Sequence, residues 1–183
     1  MKRIVLAAAL VVAAAPAFAG ELEGVTSADT LTVEGKPLAL NGMGLRRKFV
    51  FNVYVASLYV EHASKNGAEI LKADEVRRVE MKMLRDLDKK QIVEALQGGF
   101  EKNAGANLPA LKERLAKFIE KIPDVKKGAA LVVQYVPGKG TRVEGANDTY
   151  VAEGKDFADA LFAVWIGASP VDDNLKKGML GEK

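Results

Sequence analysis

The chain has no cysteine and a single histidine, His62. Without thiols, stability in an oxidising compartment must come from the core and not from disulfides. Without cysteine or a second histidine, a zinc site of the usual Cys/His type is excluded, and no cofactor is expected. Beyond residue 19 no apolar run approaches the roughly 20 residues that span a bilayer. An excess of one charge is missing too. Lys2 and Arg3 account for two of the 27 basic residues, so residues 20–183 carry 25 against 24 acidic ones, a formal charge of +1. That balance argues against nucleic acid or an anionic membrane surface as the main partner. Catalytic signatures are equally scarce. There is no Gly-x-Ser-x-Gly elbow, and a Ser-His-Asp triad would have to use His62 at the end of a strand. Gly138-Lys139-Gly140-Thr141 lacks the spacing of a phosphate loop and leads into a strand, so it reads as a turn.

What is present begins with a leader. Residues 1–19 have a basic start, an apolar run from Ile4 to Ala15, and Ala17-Phe18-Ala19 as a small-x-small cleavage pattern. The expectation is cleavage after Ala19 and a soluble periplasmic or secreted product. Residues 20–183 then suffice for one domain with a full core.

The centre of that domain is Asn41 to Glu61, NGMGLRRKFVFNVYVASLYVE. A Gly-x-Gly turn and three basic residues precede a Val, Phe and Tyr run that is apolar on both faces, which reads as one central strand. Counted through an unbroken strand, Phe49, Phe51, Val53 and Val55 share one side. Arg46, Lys48, Asn52 and Tyr54 share the other. Two cations, an amide and a phenol there either line a pocket or form a solvated strand end.

Around this stretch, short β-like runs (Leu22 to Val25, Leu31 to Val33) precede a turn at Gly35-Lys36-Pro37. A short helix covers 66–73. Val76 to Leu84 alternates, with Val79, Met81 and Met83 inward and Arg78, Glu80 and Lys82 outward. Arg85 continues the inward parity. A helix starts at Asp88, with Gln91 placed for a capping box, and buries Ile92, Val93, Leu96 and Phe100. A second begins at Asn107 and Pro109. Strands return over Ala129 to Val136, Thr141 to Glu144 and Thr149 to Ala152. Helices from Asp156 and after Pro170 close the chain, the second with Asp172 and Asp173 in its first turn. The class is α+β with a mostly antiparallel sheet.

Leu40 to Arg46 followed by Phe49 to Tyr59 resembles the entry strand of the chalcone isomerase superfamily, closest to its bacterial, exported branch. Met83-Leu84-Arg85-Asp86, Val136-Pro137-Gly138-Lys139-Gly140-Thr141 and Phe157 through Trp165-Ile166-Gly167 to Lys177 agree, in the same order. The resemblance implies an open-faced β-sandwich: a large antiparallel sheet, helices on one face, and a ligand cleft between them. In the plant enzymes an Arg orients the substrate phenolate for ring closure, assisted by Thr, Tyr, Lys and Asn. That Arg falls on Arg46, and Tyr54 takes the place of the Thr. Asp88, Gln91 and Ala95 stand where the plant enzymes have Tyr, Lys and Asn.

So most donors for a developing oxyanion are gone, which speaks against chalcone cyclisation. Other branches bind fatty acids or haem in the same cleft. A guanidinium at the mouth of an apolar cleft suits a carboxylate. The expectation is a non-catalytic binder of a small amphipathic molecule, with Arg46 on its acidic group, Asn52 and Tyr54 in the wall, and Arg85 as a further candidate. The alternatives are an intramolecular lyase or isomerase using Arg46 and Tyr54 on an enone, and a structural domain whose cleft is closed. His62, beside Glu61, reads as a surface residue and not as a haem ligand.

Overall fold

The structure, a computed structural model, describes residues 18–144 and 150–182. Most of the expected leader and the first residue of the strand expected at Thr149 to Ala152 lie outside them. Of that strand, one bridge between Thr141 and Ala152 is seen.

β1 (Phe18–Leu22) and β2 (Val25–Ala28) form a two-stranded hairpin. Leu22 to Val25 is therefore not a strand. Glu23 and Gly24 both take positive φ, the requirement of a tight hairpin turn. The main sheet has six antiparallel strands in sequence order. These are β3 (Thr30–Val33), β4 (Lys36–Lys48), β5 (Phe51–Val60), β6 (Arg77–Met83), β7 (Ala130–Val136) and β8 (Gly140–Glu144). Glu34 and Gly35 make the β3–β4 turn, so Lys36 and Pro37 already belong to β4.

Helices fill the connections. α1 (Gly67–Lys72) links β5 to β6, α2 (Lys89–Ala104) and α3 (Leu108–Glu120) link β6 to β7, and α4 (Lys155–Ile166) and α5 (Asp173–Met179) follow β8. They pack on one face of the sheet and share a single core with Ala56, Leu58, Val79, Met81 and Val133. α4 lies at its centre and is buried on nearly every side, from Phe157 to Ile166. On the other face a small cluster of Val33, Leu38, Tyr59, Val76 and Val136 is the second core. The β1–β2 hairpin meets that face, where Ser27 and Ser57 share a buried 2.7 Å hydrogen bond.

The principal correction concerns Asn41 to Glu61. It is not one strand but a hairpin, broken at Phe49-Val50. β5 lies between β4 and β6, and both of its faces are buried from Val55 to Val60. The glycines expected to form a turn lie inside β4 instead. They bring α5 against the strand: a Cβ on Gly44 would come within 2.1 Å of the Leu175 carbonyl oxygen, and one on Gly42 within 2.3 Å of that of Gly178. Only a strand without side chains lets helix backbone approach so closely.

A bulge then decides which residues reach the helical face. The β4–β5 register steps from Arg46↔Tyr54 to Arg47↔Asn52, leaving Val53 as the extra residue. Beyond a bulge the alternation inverts. Phe51 therefore turns to the same side as Tyr54, and Asn52 turns away.

Candidate functional site

A cleft of about 280 Å³ opens between the sheet and the helices. Arg46 and Tyr54, cross-strand neighbours, stand at its sheet side. Met81 and Met83 of β6 continue the floor, Ile92 and Leu96 of α2 form one wall, and Val164 and Trp165 of α4 another. Lys48, Phe49, Phe51 and Arg85 line the mouth. The lining is thus mostly apolar, with a few polar groups gathered near one end, the usual build of a small-molecule site.

Arg46 is held from below. Its Nη1 donates to the Asp172 carboxylate at 3.2 Å and to the Arg47 carbonyl. Asp172 is also the N-cap of α5: its Oδ1 accepts from the backbone N–H of Asn174 (2.9 Å) and Leu175 (3.1 Å), while its Oδ2 accepts from Arg47 N. The glycines of β4, the docked α5 and the cap form one chain of cause that ends at the guanidinium. Nε and Nη2 of Arg46 make no hydrogen bond among the described residues. Two donors therefore remain for a ligand, the geometry that matches a carboxylate.

Tyr54 accepts a 3.3 Å hydrogen bond from Trp165 Nε1. Burial pushes its phenol up to about 12, against the opposing effects of the Trp165 hydrogen bond and the Arg46 charge. At neutral pH Tyr54 is therefore protonated. It can donate a hydrogen bond to an anion, and it cannot serve as a base.

The helical residues matched by resemblance separate here. Gln91 and Ala95 line the cleft, whereas Asp88 does not. Asp88 caps α2 in the expected box, its Oδ1 accepting from Gln91 N at 2.8 Å. Asn52 is a correction. It is absent from the lining, and its Oδ1 accepts from Arg47 Nε (3.1 Å) while its Nδ2 donates to Glu23 (3.0 Å). The bulge at Val53 is the reason. Arg85 reaches the mouth but is not buried: it is exposed and stacked 4.7 Å over the Phe51 ring. His62 is exposed, bonded to Glu75 at 2.9 Å, and lies outside the cleft. A cleft closed by Tyr54 is not what is seen.

Sequence reasoning missed Trp165 and Val164 as lining residues. Both are fully buried, so nothing in their pattern separates a cleft wall from a core. Met81 and Met83 were read as inward, and their parity was the available signal.

A curled antiparallel sheet with helices on one face, and a mostly apolar cleft between the two layers carrying one guanidinium, defines a chalcone isomerase-like fold. The sequence matches the chalcone isomerase-like family over residues 19–181, and the chain belongs to that family. Among solved structures it is similar to a fatty-acid binding protein of Arabidopsis thaliana. The TM-score is 0.63 at 15% sequence identity, over 90% of this chain and 96% of the other. A sequence search of the curated proteins gives no match.

Proposed function

We propose that this protein binds a fatty-acid-like carboxylate in the cleft and performs no chemistry on it. The observation that carries the reading is the pairing of two free guanidinium donors on Arg46 with a protonated Tyr54 phenol at one end of an apolar cleft. The anion sits on Arg46 and Tyr54, and the tail runs between Met83, Ile92 and Leu96. The fatty-acid binding protein among its structural neighbours supports the same reading. Cyclisation of a chalcone requires stabilisation of a developing oxyanion. Here Ala95, which lines the cleft, offers no donor. At about 280 Å³ the cleft falls just below the usual size of ligand sites, about 300–1,000 Å³, which favours a medium-chain acid.

Calorimetric titration with octanoate, dodecanoate and hexadecanoate, and with their methyl esters, tests this. The expected result is binding of the acids, strongest at intermediate length, and little heat from the esters. Equal binding of acids and esters, or turnover of a chalcone, would refute it.

The reading extends to residues 1–19 as an export leader of a bacterial, periplasmic protein. Cleavage after Ala19 leaves Gly20 to Leu22 to pair with Val25 to Ser27. Amino-terminal sequencing of the protein recovered from its own cells should begin at Gly20. An intact Met1 would remove the export proposal.

A further inference from the structure

We propose that the tip of the β4–β5 hairpin docks the mouth of the cleft onto an anionic lipid bilayer. Phe49, Val50 and Phe51 are 90%, 87% and 54% exposed, and they are the exposed large hydrophobic residues among those described. They are consecutive, and they form the tip of a protruding hairpin. Exposed apolar residues gathered in one place mark an interaction site, while scattered ones mean little.

The backbone makes the choice of residues more telling. The loop has two residues, with positive φ at the first only: 56° at Phe49. Glycine is the favoured residue at that position. A bulky aromatic held there is unfavourable for the fold alone. With 90% of its surface in water, Phe49 gains no compensating burial within this chain.

Charge selects the occupant. Arg47, Lys48 and Arg85 surround the tip, and none of the three forms an ion pair among the described residues. Of the neighbouring carboxylates, Asp86 pairs with Lys126 and Asp172 with Arg46, while Glu23 accepts only from the neutral Asn52 amide and keeps its charge. Three cations against one free carboxylate, beside two aromatic rings and a valine, fit an interface of anionic headgroups over acyl chains. A second copy of the chain would bring cations against cations. The near-neutral total charge conceals this local asymmetry. No described helix is long and apolar enough to cross a membrane, so the contact is peripheral.

The tip also lines the cleft mouth, through Lys48, Phe49 and Phe51. Insertion of the tip therefore sets the opening at headgroup level, where an amphipathic acid could enter without crossing water. That consequence rests on the fatty-acid reading, whereas the docking itself does not.

The test is flotation of the purified protein, without added fatty acid, with vesicles of phosphatidylcholine alone and with vesicles one-third phosphatidylglycerol. Binding is expected to the anionic vesicles, to weaken with salt, and to fall about tenfold in a Phe49→Ser/Val50→Asp variant. Absence of wild-type binding to anionic vesicles, or equal binding by the variant, would overturn the proposal. So would self-association through the tip at raised concentration. Val50→Asp alone, outside the cleft lining, should take up soluble dodecanoate as wild type does. Docking without any dodecanoate uptake by the wild type would sink the fatty-acid reading and leave docking standing. Uptake without docking would do the reverse.

Discussion

An Arg46→Ala variant is expected to bind dodecanoate roughly 10- to 100-fold more weakly than wild type, the loss that follows from removing hydrogen bonds to a charged group. The uncharged alcohol of the same length should bind both proteins alike, because its contacts are with the apolar walls. The fold should survive. Asp172, deprived of Arg46, keeps its bonds to Asn174, Leu175 and Arg47 backbone N–H groups, so its carboxylate is not stranded. Arg46→Lys keeps the charge but loses the paired donors, and should fall between the two. Unchanged dodecanoate affinity in Arg46→Ala, measured calorimetrically, would remove Arg46 from the site.

The second large effect concerns stability. Arg77 is 1% exposed and sits between the rings of Tyr135 and Phe162, at 5.0 and 5.2 Å. Its Nη1 donates to the carbonyls of Ile70 (3.0 Å) and Leu71 (3.1 Å), at the end of α1, and its Nη2 bonds to Asp159. A six-residue helix leaves its last four carbonyls without partners inside the helix, and Arg77 satisfies two of them in the core. Arg77→Ala leaves a core cavity and strands the Ile70 carbonyl, and should destabilise the protein by about 3–5 kcal/mol, read as a lower midpoint of urea unfolding. Lys155 bonds to both Asp159 (2.6 Å) and Leu71 O (2.7 Å). Neither substitution therefore strands the carboxylate, and Arg77→Met, which also fills the space, should lose distinctly less. A loss of under about 1 kcal/mol for Arg77→Ala, the level of an exposed pair, would show that the guanidinium is not structurally required.

How legible this was depends on the kind of signal each residue gives. Local chemistry was readable: Asp88 and Gln91 announce their helix because a capping box is written in four residues. Parity was readable as well. Arg77 shares its side of β6 with Val79, Met81 and Met83, so alternation alone points it into the core. Its partners, Ile70, Leu71 and Asp159, are set by tertiary packing and have no sequence signature. The hairpin between Lys48 and Phe51 was hidden because its turn is Phe49-Val50, without glycine, asparagine or proline. The bulge at Val53 was hidden for a related reason: one extra residue inverts parity without changing composition. Those two omissions moved Asn52 into the expected wall and Phe51 and Val53 out of it. The Gly-x-Gly signal was visible, but its cause is the backbone of α5, 131 residues further on (Gly44 to Leu175).

The support of Arg46 by Asp172 also orders events in time. The two residues are 126 positions apart, so during synthesis the hairpin that carries Arg46 emerges well before the cap that holds it. In a chain that stops short of α5, the guanidinium has no Asp172 to fix it and no helix backbone packs against Gly42 and Gly44. On the fatty-acid reading, the carboxylate site is therefore complete only once α5 has docked, and a chain cut short of Asp172 should fail to hold the acid.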